Sequence, residues 1–252
     1  SKILFDQYSI DKDSIDFVVF ATSTPDYFVP GSGSIFQNKL GLKNIGVLDI
    51  RQGCSGFTYA ITVADQFIKS GSYKNILVIG AEVQTTQLDF DDEGRGTAIL
   101  FGDGAAACLV SATEEDKGIL SSHLHSDGKY VQELGTEYPS SKYKDIITPE
   151  DVKNRKHHIH MNGREVFKNA VKRMPEAINV AMEHNNLSID DISLVVAHQA
   201  NRRILEACAE RMKLPLEKMY INIHKYGNTT AATIPIAICE ALEEGKFEKG
   251  DH

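Results

Sequence analysis

The chain has 252 residues, 42% of them hydrophobic and 25% charged, with a formal net charge of −8. This is an ordinary globular composition with room for a substantial core, and the negative balance argues against nonspecific nucleic-acid binding. No apolar run is long enough to span a bilayer, no signal-peptide pattern opens the sequence, and the cysteines suit a reducing cytoplasm.

In chain order, Ile15 to Ala21 reads as a strand, Ser34 to Leu40 as a helix and Gly46 to Ile50 as a short buried strand. A small-residue turn, Arg51-Gln52-Gly53-Cys54-Ser55-Gly56, leads into an apolar helix over Phe57 to Lys69. Asn75 to Gly80 and Ala105 to Val110 are further strands. Residues 113–160 are polar, with few periodic signals, and are expected to form an irregular excursion. A helix follows over Arg164 to His184, with a kink expected at Pro175. Then come strand Ile192 to His198, helix Asn201 to Met212, strand Met219 to Ile223, the turn Lys225 to Asn228 and helix Thr230 to Glu243.

The last four elements repeat the order of the first four at a nearly constant offset, which points to an internal duplication of a strand–helix–strand–helix unit. Apolar strands alternating with helices imply mostly parallel sheets covered on both faces. The predicted architecture is α/β in two similar halves: 1–112 carries one, 161–252 the other, and 113–160 links them.

Cys54 stands out because its turn places a thiol at the amino end of a helix, where unpaired N–H groups and the helix dipole favour the thiolate. Gly53 and Gly56 are expected to let other groups approach the sulfur. Cys108, Cys208 and Cys239 lie in strand and helix patterns and read as core, with no metal or redox spacing. Chemistry in such sheets gathers beyond the carboxyl ends of strands. There Cys54, His198 and Asn228 follow three predicted strands, with Cys54 and Asn228 at equivalent points of the two halves. His and Asn suit a thiolate as donors to an oxygen that develops charge. Taken singly, His198 reads as a helix cap and Asn228 as a turn residue; together they read as a site.

The stretch Asp49 to Phe57 resembles the nucleophile turn of the 3-oxoacyl-acyl-carrier-protein synthase III family, in the thiolase superfamily. Phe101-Gly102-Asp103-Gly104-Ala105-Ala106, Met161 to Lys168, His198 to Ile204 and Tyr226 to Ala232 resemble four more of its blocks, in order along nearly the whole chain. The resemblance implies a thiolase-like fold, layered α-β-α-β-α. It also implies decarboxylative condensation of an acyl-CoA primer with malonyl-acyl carrier protein, initiating fatty acid synthesis. Cys54 matches the nucleophile, and His198 and Asn228 match the pair that stabilises the enolate. Arg95, Gly163, Phe167, Ala200 and Asn201 match the pantetheine and CoA tunnel, and Phe101 matches a wall of the acyl pocket. Phe28 and Val29 match a segment that enters the partner's pocket in a homodimer. Lys168 and Arg203 match basic residues where the carrier protein docks, with Arg164, Arg202 and Arg211 as neighbouring candidates. No metal or redox cofactor, no membrane and no nucleic acid is implied, and the expected compartment is the cytoplasm.

Arg51, Gln52 and Gly53 depart from the small apolar residues usual before the family's cysteine, which favours a specialised relative making a secondary metabolite as an alternative. The family's first strand and its C-terminal Gly-rich turn have no counterpart in these residues. Ser1 to Tyr8 reads as the tail of its first helix, and the further strand is expected at the centre of the first sheet. An inactive truncated form follows as another reading. A cysteine hydrolase with Cys, His and Asn in this order is opposed by the absence of Trp and by the duplicated frame. The cluster His157-His158-x-His160 lacks the spacing of a metal site and reads as a polar approach to the next helix. Gly94-Arg95-Gly96 and Gly102-Asp103-Gly104 lack the spacing of phosphate loops and read as turns.

Overall fold

A computed structural model of the chain describes residues 1–115 and 117–252; Asp116, within the excursion, lies outside the described residues. The helices are α1 (Lys2–Tyr8), α2 (Ser32–Leu40), α3 (Gly56–Lys69), α4 (Arg95–Ala98), α5 (Pro149–Lys153), α6 (Gly163–His184), α7 (Arg202–Met212), α8 (Ile223–Tyr226) and α9 (Thr233–Glu243). The strands are β1 (Phe17–Ala21), β2 (Gly46–Ile50), β3 (Asn75–Glu82), β4 (Gly104–Ser111), β5 (Leu134–Thr136) and β6 (Ile159–Met161).

The main sheet has the order β2-β1-β3-β4, with β1 parallel to both neighbours and β4 antiparallel to β3. Successive side chains of β1 point to opposite faces. Phe17, Val19 and Ala21 pack with Phe57, Ala60 and Ala64 of α3 and with Ala231, Ile234 and Ile238. Val18 and Phe20 pack with Phe5 of α1 and Leu40 of α2 on the other face. Among the described residues the second half carries no such sheet. Its two predicted strands run side by side and meet in a single parallel bridge, Val195 to Met219. They still form a layer: Leu194 and Val196 pack towards Ala237 and Ala241 of α9, while Val195 and Ala197 face the Leu205–Cys208 face of α7 and Val171 and Met174 of α6. Helices and strands thus alternate in five layers, and α9 sits between the two halves.

β2 is a half-exposed edge strand and not a buried one, because it pairs on one side only. No gap opens at the centre of the first sheet, since β1 and β3 bond directly; its unpaired edges belong to β2 and β4. The excursion is only partly irregular: Leu134–Thr136 pairs antiparallel with Ile159–Met161, and α5 begins with a capping box between Thr148 and Asp151. Cys239 is exposed, because it faces an open groove beside β4, whereas Cys208 is buried as expected. α6 runs continuously through the buried Pro175.

Candidate active site

Cys54 lies in a 3-10 turn, Gly53–Ser55, between β2 and α3. Gly53 has φ +52°, a conformation that costs most side chains energy, with open space where a Cβ would lie. Gly56, by contrast, is packed between Ala231 and Ala21 and not open to an approaching ligand. The helix end does not produce a resting thiolate. Burial pushes the Cys54 thiol up to about 12, the Glu82 carboxylate adds to the shift, and hydrogen bonds from backbone and from the Asn228 side chain oppose it only in part. At neutral pH Cys54 is therefore held as the thiol.

Asn228 is buried and reaches the first half through its backbone as well as its side chain. Its N–H donates to Leu100 O at 2.7 Å, and its carbonyl accepts from Gly102 N–H at 3.1 Å, forming a bridge beside Phe101. Thr230 N–H donates to Asn228 Oδ1 at 2.9 Å, which turns the amide Nδ2 towards the thiol. Thr230 itself has φ +50°, unusual for a β-branched residue. Strain of this kind persists where surroundings over-determine it. Gln84 Nε2 donates to Thr230 Oγ1 at 2.8 Å, and Ala231 N–H donates to Glu82 Oε1 at 3.4 Å.

Glu82 is 3% exposed and is the anchor beneath this turn. Its carboxylate accepts from Ser23 N–H at 3.0 Å, Ser23 Oγ at 2.8 Å and Thr24 Oγ1 at 2.9 Å. Burial raises its pKa despite these donors, the Ser23 hydroxyl being the largest opposing influence. His198 joins the cluster from the second half through Nδ1, 2.6 Å from Thr233 Oγ1. Its Nε2 is buried without a partner among the described residues, and burial lowers the ring's pKa to about 4, so the imidazole is neutral.

A cavity of about 940 Å³ opens at Cys54, lined among others by Phe28, Arg51, Gln84, Phe101 and Thr230. Arg51 lies over the Phe28 ring at 5.8 Å. A larger apolar groove of about 1140 Å³ follows the open edge of β4 and does not reach the thiol. Of the other predicted site residues, only Phe101 and Phe28 line the Cys54 cavity. Arg95 opens α4, Gly163 opens α6, Phe167 lies half-exposed on α6, Ala200 packs against the second core, and Asn201 caps α7 by accepting from Arg203 N–H at 2.9 Å. Lys168 and Arg203 lie on α6 and α7, whose faces pack together; Lys168 sits 3.6 Å from Glu165, and Arg202 is tied to Glu206 at 2.7 Å. Tyr27, Phe28 and Val29 form an exposed apolar segment, Val29 being 83% exposed.

The His157 and His158 rings lie 4.0 Å apart, tilted by 39°, and among the described residues no group of three potential ligands gathers as a metal site. The sequence reading missed Glu82, Gln84, Thr230 and Thr233. One signal was available for Glu82: a carboxylate two residues beyond an uninterrupted apolar run needs a buried partner set.

Five layers, with a cysteine turn from the first half closed by an asparagine turn from the second, are the architecture of the thiolase-fold condensing enzymes. Within that class the match is specific. Residues 48–128 fit the family description 3-oxoacyl-[acyl-carrier-protein] synthase III, and residues 182–252 fit its C-terminal description. The chain is 43% identical over 243 residues to the beta-ketoacyl-[acyl-carrier-protein] synthase III of Fusobacterium nucleatum, covering 96% of this chain and 73% of that one. It is 42% identical to the Koribacter versatilis enzyme of the same name, covering 96% and 72%. The crystal structure of the Aquifex aeolicus synthase III superposes with a TM-score of 0.89 at 39% identity, covering 99% of this chain and 75% of that one. The chain belongs to the 3-oxoacyl-acyl-carrier-protein synthase III family and is an acyltransferase of that type.

Proposed function

We propose that the chain joins an acyl-CoA primer to malonyl-acyl carrier protein, initiating fatty acid synthesis through an acyl-Cys54 intermediate. Cys54 Sγ attacks the primer's thioester carbonyl, and CoA departs with the thiol proton. The malonyl thioester then loses CO₂, leaving an enolate whose oxygen takes hydrogen bonds from Asn228 Nδ2 and His198 Nε2. The enolate carbon attacks the acyl-Cys54 carbonyl, and the sulfur leaves as a thiolate that takes a proton from water to restore the resting thiol. Donors fixed before the charge develops need no reorganisation when it does. No metal or redox cofactor enters this chemistry.

The observation that carries the reading is the amide of Asn228, set against the Cys54 thiol while Thr230 N–H holds its oxygen away. The raised thiol pKa fits a nucleophile activated by bound substrate and not one reactive in the free protein. Arg95, Gly163, Phe167, Ala200 and Asn201 are assigned to the CoA and pantetheine path, and Phe101 to the acyl pocket. Lys168 and Arg203 are assigned to carrier-protein docking, helped by Arg164, Arg202 and Arg211. The exposed Tyr27–Val29 segment supports a homodimer in which Phe28 and Val29 enter the partner's pocket. Two halves at 1–112 and 161–252 act as one unit in the cytoplasm, where both substrates are found. Among the described residues no helix is long and apolar enough to cross a membrane.

A specialised primer is a second reading, favoured by Arg51 and the polar Gln84 in the cavity wall. The priming beta-ketosynthase of the R1128 polyketide pathway superposes with a TM-score of 0.85 at 27% identity, covering 100% of this chain and 73% of that one. Intact mass after brief exposure to a panel of acyl-CoAs tests both. One acyl increment that vanishes in Cys54→Ala is expected, and the best donor names the primer class. No increment with any donor on folded protein overturns the assignment.

A further inference from the structure

A neutral imidazole carries one N–H, so the nitrogen that holds it decides what the other can do. In His198 the choice is consequential, because Nε2 is buried with nothing bound to it and burial keeps the ring neutral. An Nε2–H suits an oxygen gaining negative charge. A lone pair at Nε2 repels it.

Among the described residues the only group bonded to Nδ1 is Thr233 Oγ1, at 2.6 Å. That hydroxyl has a single proton and two neighbours that can accept it: His198 Nδ1, and Thr230 O at 3.0 Å. Thr230 O already accepts from the backbone N–H of Thr233 as the 3-10 turn 230–232 closes. The carbonyl is therefore not stranded when the hydroxyl turns away. Thr233 opens α9, and its Cα is fixed by the same turn whose Thr230 N–H orients Asn228. One short segment thereby controls both donors.

We infer that the Thr233 hydroxyl donates to His198 Nδ1 and holds the ring as the Nε2–H tautomer, which makes Thr233 a positioning residue for the condensation step. The inference rests on His198 serving as a donor to the enolate oxygen. Rotation of the same hydroxyl towards Thr230 O leaves Oγ1 free to accept, so the residue also accommodates a ring that gains a second proton during turnover. A side chain with only a donor or only an acceptor does one of these and not the other.

The test compares Thr233→Val, which keeps the branched shape and loses the hydroxyl, with Thr233→Ser, which keeps the hydroxyl. Nitrogen-15 NMR of histidine-labelled protein reads which ring nitrogen of His198 is protonated, with His198→Asn to assign the signal. The wild type and Thr233→Ser are expected to show Nε2–H, and Thr233→Val a shift of population towards Nδ1–H. Decarboxylation of malonyl thioester by Thr233→Val is expected to fall by about 10²-fold in kcat, with KM little changed, as when one oxyanion donor is lost. Acyl loading of Cys54 is expected to stay near wild type in both variants, and Thr233→Ser to restore decarboxylation. An Nδ1–H tautomer in the wild type overturns the inference, as does Thr233→Val protein with wild-type decarboxylation or with loading and decarboxylation reduced alike. If Thr233→Val does not fold, the spectra of the wild type and Thr233→Ser decide alone. A wild type that shows Nε2–H but neither loads nor decarboxylates instead overturns the functional reading on which the role depends.

Discussion

The two halves hold their functional residues by different means. In the first, β1 is bonded along its whole length to β2 and β3, and Val18, Val19, Ile76, Leu77 and Val78 are wholly buried. In the second, the corresponding segments share one bridge, and order comes from helices α6, α7 and α9 closing over them. Yet His198 and Asn228, the two proposed enolate donors, belong to that second half. The placement of Asn228 comes from the first half, since Leu100, Gly102, Glu82 and Gln84 all bond the 228–231 segment, whereas His198 is held by Thr233 of its own half. A ladder-rich half thus acts as the template on which the weaker half sets its chemistry. This fits the need to hold catalytic groups by rigid neighbours.

The sharpest break of that comparison separates loading from condensation. Cys54→Ala is expected to remove both, with turnover lost on the order of 10⁴-fold or more, as for other nucleophile deletions. Asn228→Ala and His198→Ala are expected to keep acyl loading and to lose about 10²- to 10³-fold in malonyl decarboxylation. Single-turnover loading by intact mass, set against CO₂ release, reads the split; equal losses in both steps contradict it.

A wedge between the halves comes next. A Cβ at Gly80 would run into the Ala231 carbonyl, and one at Gly102 into the Tyr226 carbonyl. Both neighbours are backbone and cannot move aside cheaply. Gly80→Ala is expected to destabilise by about 1–3 kcal/mol and to impair decarboxylation more than loading, since it displaces the donor turn and leaves Cys54 on its own element. Denaturant unfolding alongside the two partial reactions measures this. Gly41→Ala is the matched control, as its Cβ meets nothing within 4 Å but its φ is +72°, so it samples backbone strain without the wedge.

These effects show what was legible in the sequence. β1, β3, β4, α3, α6 and α7 are found within a residue or two of their predicted bounds, because their apolar periodicity matches the faces they bury. Cys54, His198 and Asn228 were legible as turn residues after strands, and the blocks around them carried the family. Other features had no local signature. The weakness of the second sheet is a matter of pairing geometry, which the apolar runs 192–198 and 219–223 do not encode. The thiol's raised pKa depends on Glu82, 28 positions along the chain yet close to Cys54 in space. Thr233 lies in an apolar helix pattern where a threonine looks like filler; only the 2.6 Å contact with His198 reveals it.

The smallest effect sharpens the comparison most, because a buried group from each half titrates with opposite consequence. His198 in the folded protein has its pKa near 4, below the ordinary value of 6.5. Between those values the unfolded chain binds the proton more readily, so stability falls as pH drops through this window. Glu82 has a folded pKa above its ordinary 4.5, so the folded state keeps a proton that the unfolded state has lost. Its contribution is therefore full below 4.5 and is lost as pH rises through the folded value. Acidification from pH 6.5 towards 4 thus weakens the protein through His198, by up to about 1.4 kcal/mol per pH unit for a full proton, while Glu82 acts in the opposite sense as pH falls through its raised folded value. His198→Asn is expected to make the acid decline in stability shallower, and Glu82→Gln to make it steeper. Urea midpoints at pH 7, 6 and 5 for the wild type and both variants read the two slopes. Slopes that move in the same direction would show that the two groups are not both buried in their neutral forms. Slopes that diverge show a neutral ring buried in the second half and a neutral carboxyl buried in the first.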